Sequence, residues 1–292
     1  MNYPHAHLRS LPPKGGNMKA GFIVRAGVGL LALTFMLMSN AAELVSIPTR
    51  SGVTQSIYIE ASPSASPSAT VATPGPSWLA VLFAGDDGAV DLKNDGPARN
   101  QGNFLIRSRS YWSGAGEVSA VFDTPSDYAG GMDDSFRLGD AHLQDVAAVV
   151  EVLRKKYPSA KIALVGTSRG SISVGNILKR NPHLADAYVM TSPVTVAGRG
   201  GPGLAGVSWE HGLARVLVLS NRGDGCVVSP FWSAQKMAEA NGFDFIAVSS
   251  DGGDTRMPGA CKASSPHGYL GIETQVLDAI NAWLNGAAAP AK

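Results

Sequence analysis

Five residues, Gly166-Thr167-Ser168-Arg169-Gly170, stand directly behind the run Lys161-Ile162-Ala163-Leu164-Val165. Gly-x-Ser-x-Gly after a strand is the arrangement in which a serine hydroxyl becomes a nucleophile. A strand that turns into a helix at one residue strains that residue's backbone, and glycines two positions to either side remove Cβ atoms that would collide there. The segment from Arg169 to Arg180 carries apolar residues at helical spacing, so unpaired N–H groups at its start favour negative charge developing beside Ser168. Arg169 N–H is thereby one candidate oxyanion donor. The plain alternative is a surface turn, against which the buried-strand pattern before the motif weighs.

An activated serine needs a base, and the base needs an acid to orient it. Of the six histidines, His5 and His7 fall near the N-terminus, while His142, His183 and His211 have no acid or strand-end loop to support them. His142, early in a helical pattern, suits capping or packing. His267 stands in Ser265-Pro266-His267-Gly268-Tyr269, just before the last helical pattern. Asp224 lies in the short loop Asn221-Arg222-Gly223-Asp224-Gly225-Cys226 behind the strand-like Val216-Leu217-Val218-Leu219-Ser220. Asp251 and Asp254 follow a different strand, and Asp186 begins one. The expected roles are nucleophile for Ser168, general base for His267 and orienting acid for Asp224. A second oxyanion donor is expected in Ala84-Gly85-Asp86-Asp87-Gly88, as Asp86 N–H or Asp87 N–H. Carboxylates there oppose a developing anion unless they face solvent or a partner.

These residues need a frame that collects distant loops. Strand patterns at Leu79–Phe83, Val118–Phe122, Ile162–Val165, Ala187–Met190, Val216–Leu219 and Phe245–Val248 alternate with helical patterns. The helical patterns fall at about Asn103–Trp112, Ala141–Lys156, Arg169–Arg180, Phe231–Asn241 and Tyr269–Leu284. Such alternation predicts an α/β fold with a mostly parallel central sheet covered by helices on both faces. Sites in these sheets gather at the carboxyl ends of strands. Glu43–Glu60 reads as a leading hairpin at the sheet edge. Residues 61–77, built from Ala, Ser, Thr, Pro and Gly with few large side chains, read as a flexible surface loop.

Residues 1–42 read as an N-terminal extension and signal peptide: a basic start at Lys19 and Arg25, the apolar stretch Ala26–Met38, and cleavage near Ala41 or Ala42. The apolar stretch is shorter than the ~20 residues of a spanning helix, so no membrane anchor is expected after cleavage. One α/β domain is expected over 43–292. Loss of 1–42 takes four of the 24 basic residues and none of the 23 acidic ones, leaving a balance of −3. That balance argues against a nucleic-acid partner, which calls for a clustered basic face. Export to the periplasm or medium predicts a disulfide between Cys226 and Cys261, the alternative being two buried thiols. Such a bond would tie the Asp224 loop to the His267 loop.

The strand, the Gly166–Gly170 elbow, Asp224 after a later strand and His267-Gly268 before the last helix together resemble the α/β-hydrolase superfamily from about Trp78 to Leu284. Phe104–Arg109, Pro125-Ser126-Asp127 and the elbow are further similar to exported bacterial serine hydrolases of unassigned substrate. The resemblance implies the α/β-hydrolase fold with about eight strands, and hydrolysis of an ester, thioester or amide through an acyl-serine. Asp86 and Asp87 depart from the family's glycine-rich oxyanion loop. Thr191–Leu213 is too short and too rich in Gly and Pro for the helical lid that larger relatives insert, so no large lid domain is expected. Tyr128, Met132, Trp209 and Tyr269 are candidate pocket walls, though each also suits ordinary core or surface. The expected function is that of a carboxylesterase on a small or medium acyl ester. A peptidase, polyester hydrolase or acyltransferase on the same triad, or a non-catalytic exported binding module, are the alternatives. The histidines and cysteines show no ligand spacing such as H-x₃-H or C-x₂-C, and no P-loop or dinucleotide glycine pattern supports a cofactor, so neither metal nor cofactor is expected.

Overall fold

The computed structural model describes residues 41–62 and 75–288. The expected leader up to residue 40, and positions 63–74 of the expected flexible loop, lie outside the described residues. The chain opens with β1 (Ala41–Arg50) and β2 (Val53–Ala61), paired antiparallel across a turn in which Gly52 takes a φ of +72°. Next come β3 (Trp78–Phe83), the small hairpin of β4 (Leu92–Lys93) and β5 (Gly96–Pro97), then α1 (Phe104–Arg107), α2 (Ser110–Gly114) and β6 (Val118–Phe122). The alternating half follows as α3 (Asp134–Arg137), α4 (Asp140–Lys156), β7 (Lys161–Thr167), α5 (Gly170–Arg180), β8 (Ala187–Thr191), β9 (Val216–Asn221), α6 (Phe231–Asn241), β10 (Asp244–Val248) and α7 (Glu273–Leu284).

Eight strands form one sheet in the order β1-β2-β6-β3-β7-β8-β9-β10. The leading hairpin pairs antiparallel to β6 at one edge, and every pair from β6 to β10 is parallel. β3, β6, β8 and β9 are buried at every position, as helices on both faces require. The strand pleat sends Leu79 and Val81 of β3 to one face, where they meet Val146, Val149, Ile172 and Ile177 of α4 and α5. Ala80 and Leu82 point to the other, with Trp112, Val276, Ile280 and Trp283 of α2 and α7. Because β3, β7 and β9 run parallel, their carboxyl ends deliver Ala84–Gly88, Ser168 and the Asn221–Cys226 loop to one rim.

Residues 192–215, between β8 and β9, contain no helix and fold back so that Val194, Leu204 and Trp209 are buried on the α4–α5 side. Among the described residues no large lid domain is inserted. Two helical expectations need correction. The pattern at 103–112 is two short helices, broken at Ser108 and Arg109, where Arg109 Nε turns out to donate to Glu60 Oε1 of β2 at 2.8 Å. The pattern at 269–284 becomes helical only at Glu273, because Tyr269 takes a φ of 58° that aims its ring into the core.

Candidate active site

β7 runs straight into the elbow. Ser168 has a φ of 51°, a left-handed conformation that costs a non-glycine residue and persists only where its surroundings enforce it. A Cβ on Gly170 would collide with the carbonyl of Phe83 at the end of β3, and one on Gly166 with the carbonyl of Gly170. Both elbow glycines are therefore needed for the helix to start against the sheet. Ser168 N donates to Thr191 O of β8 at 3.0 Å, and Ser171 N and Oγ both donate to Ser168 O, at 2.9 and 2.6 Å. Those bonds fix the serine backbone and leave its hydroxyl facing a cavity of about 390 Å³.

His267 and Asp224 meet at the same rim. His267 Nδ1 lies 2.8 Å from Asp224 Oδ2, with the side chains 4% and 0% exposed. A carboxylate acceptor at Nδ1 places the proton there, so Nε2 carries the lone pair. Nε2 is buried and has no hydrogen-bond partner. His267 and Ser168 line the one cavity, and among the described residues no hydrogen bond joins Ser168 Oγ to His267 Nε2.

Both loops are braced from below. Asn221, last in β9, donates to Pro266 O at 3.0 Å and accepts from Gly223 N at 2.9 Å, coupling the Asp224 loop to the His267 loop. Asp224 Oδ1 accepts from Cys226 N at 2.9 Å, leaving Oδ2 for the histidine. Ser192 Oγ lies 2.9 Å from both His267 O and Tyr269 Oη, and Tyr269 Oη donates to Leu219 O of β9 at 2.9 Å. Arg107 of α1 donates to Ala263 O and Gly268 O while pairing with Glu273, which pins the His267 loop from the other side. Cys226 and Cys261 form a disulfide that lines the cavity. One oxygen of Asp224, one ring nitrogen of His267 and Cys226 Sγ lie within 4.8 Å of one another. Bound in a disulfide, that sulfur is no thiolate, so the trio is a poor donor set for a metal ion.

The expected oxyanion donors stand on two segments. Gly85 presses against the elbow so closely that a Cβ there would meet Ser168 Cβ and Thr167 O. Arg169 and Asp86 line the cavity, and among the described residues no hydrogen bond occupies Arg169 N–H or Asp86 N–H. Asp87, the alternative donor, does not line the cavity: its carbonyl accepts from Met132 N and its carboxylate from Ala89 N and Arg99. The carboxylates that threatened the anion are turned aside. Asp87 pairs with Arg99, Asp134 pairs with Arg169 at 2.8 Å, and Asp86 is exposed.

None of the four expected wall residues lines the cavity. Tyr269 is fully buried as a brace beneath His267, its hydroxyl pKa raised by burial. Trp209 packs over Gly175, to whose carbonyl it donates at 2.8 Å. Met132 is buried against Gly88, and Tyr128 stacks on Phe136 with ring centroids 3.9 Å apart. The walls are instead Asn100, Asn103, Phe104, Val228, Pro258 and Lys262. Of these only Asn103 carries a sequence signal, as the N-cap of α1 accepting from Leu105 N at 3.1 Å.

No protein-family model and no curated protein sequence matches this chain. Solved structures do. An α/β serine hydrolase homologue from Coxiella burnetii is 14% identical with a TM-score of 0.52, over 86% of this chain and 99% of its own. A lid-less α/β serine hydrolase from Xanthomonas campestris is 13% identical at a TM-score of 0.50, over 88% and 99%. A puromycin-hydrolyzing peptidase from Mycobacterium tuberculosis is 12% identical at 0.56, over 87% of this chain but 41% of its own. With the strand order, the elbow and the uninterrupted β8–β9 connection, these similarities establish that the chain has the α/β-hydrolase fold, in the form without a lid.

Proposed function

We propose that this protein is a serine hydrolase that cleaves a carboxylic ester through an acyl-Ser168 intermediate. The observation that carries the reading is a buried imidazole, bonded to Asp224 through one nitrogen and uncommitted at the other, in the same cavity as a serine held at positive φ. A substrate carbonyl oxygen sits between Arg169 N–H and Asp86 N–H. Ser168 Oγ bonds to the carbonyl carbon as its proton passes to His267 Nε2, and Asp224 stabilises the imidazolium. Collapse breaks the ester C–O bond, and the Nε2 proton leaves with the alcohol. Water then gives a proton to Nε2 and its oxygen to the acyl carbon; Ser168 departs with that proton, releasing the acid.

Amide hydrolysis is the second reading, favoured by the peptidase among the similar structures. It demands full protonation of an amine leaving group by Nε2. Short p-nitrophenyl esters and aminoacyl p-nitroanilides separate the two. The ester should be turned over, a fluorophosphonate should label the wild type, and Ser168→Ala should lose both. A folded wild type that takes no label overturns the proposal.

A further inference from the structure

Arg137, the last residue of α3, is fully buried and bridges the two segments that hold the oxyanion donors. One guanidinium nitrogen donates to Ser173 Oγ in the first turn of α5 at 2.9 Å, and another to Asp86 O in the loop after β3 at 3.3 Å. Arg169, four residues before Ser173, carries one proposed donor. Asp86 carries the other. The loop is shaped around the guanidinium: Gly88 N closes a turn onto Gly85 O at 3.1 Å, and a Cβ on Gly88, at φ +80°, would overlap the arginine.

The charge itself is unusual. No carboxylate forms an ion pair with Arg137 among the described residues, and its Nε is buried without a partner. Burial pulls its pKa down to about 10, helped by Arg169 and opposed by Asp134, Asp87 and Asp86, so the group is still a cation at neutral pH. A buried cation without a bonded anion is costly. The proposed anion site is one residue's backbone away, through Asp86, whose carbonyl accepts from Arg137 and which lines the cavity. Ser173 and Asp86 O hold the cation, and its field, at the back of that site without letting it reach substrate.

The geometry points to Arg137 as a positioning residue that fixes the Asp86 backbone against the nucleophile helix and holds a positive charge behind the oxyanion donors. The inference rests on the serine-hydrolase reading. It predicts that Arg137→Met, near the same volume but neutral, lowers kcat for p-nitrophenyl acetate about tenfold or more with KM within about twofold. A boronic acid, which mimics the tetrahedral anion at Ser168, should lose affinity by a similar factor. Arg137→Lys keeps the charge but reaches only one of the two oxygens, and should fall between Met and wild type in both measurements. A merely structural arginine would not order the variants by charge.

Wild-type kcat in folded Arg137→Met overturns the inference, while a wild type with no turnover overturns the hydrolase reading instead. Where Arg137→Met does not fold, Arg137→Lys and Ser173→Ala carry the test, since each keeps a cation in place. Both should lower kcat at least threefold at constant KM, and wild-type turnover in both removes the role.

Discussion

At the scale of single residues, His142 shows how far burial can move a group. It is fully buried, neither ring nitrogen has a hydrogen-bond partner, and Phe83, Phe122 and Phe136 surround it with centroids 5.5 to 6.1 Å away. Burial, with Arg137 and Arg50 nearby, holds its pKa down to about 3. The unfolded chain takes up a proton near the ordinary histidine value that the folded chain refuses, so stability falls as pH drops from about 6.5 toward 3. The loss amounts to roughly 3 kcal/mol by pH 4. His142→Leu removes that proton and two unpaired nitrogens, so its melting temperature should drop several degrees less than that of the wild type between pH 7 and pH 4; equal drops discard the argument. Asp224→Asn offers a second residue-level test. It leaves the packing but favours the wrong imidazole tautomer, and should lower kcat on the order of 10³- to 10⁴-fold with little change in melting temperature.

At the scale of elements, the proposed machinery depends on two loops meeting, and three devices hold them: Asn221 between β9 and Pro266, Arg107 from α1, and the disulfide from Cys226 to Cys261, 35 residues apart. Closing a loop of that length contributes about 3 to 4 kcal/mol through the unfolded chain. Cys226→Ser with Cys261→Ser should lower the melting temperature accordingly. It should also reduce kcat severalfold at temperatures where the variant is folded, because the bond fixes the Cys226 backbone whose N–H braces Asp224, and its sulfur packs within 4.8 Å of the Asp224–His267 pair. Lower stability with full turnover would reduce the bond to a staple. The elements themselves were largely legible. Six strand patterns match β3 and β6 to β10, because strands buried on both faces stand out as short apolar runs. α3 was not, since four residues show no periodicity and Asp133 at its N-cap is the one local mark, accepting from Phe136 N at 2.8 Å. The meeting of Ser168, Asp224 and His267 at one rim could be read because their order and strand-end placement are properties of the chain. The cavity walls could not, because Asn100, Phe104, Pro258 and Lys262 become neighbours only when loops from opposite ends of the sequence converge. Aromatic character misled for Tyr269 and Trp209, whose polar tips bond to backbone carbonyls in the core.

At the scale of the whole molecule, we extend the proposal to export, on the leader pattern of residues 1–42 and the disulfide at the site. N-terminal sequencing of protein recovered from the periplasm or medium should begin at Ala42 or Glu43; an intact Met1 or Met18 in that fraction refutes cleavage. Trimming there takes one or two residues from the outer strand, opposite Ala61 and Glu60, and leaves the pairing from Glu43 to Arg50 in place. The bare β8–β9 connection has its own consequence, in kinetics. With no hinged cover among the described residues to displace, the proposed esterase meets no trigger at a fat–water boundary. Its velocity against an increasingly concentrated ester should rise smoothly through the point where the ester begins to form droplets, with no jump on crossing it.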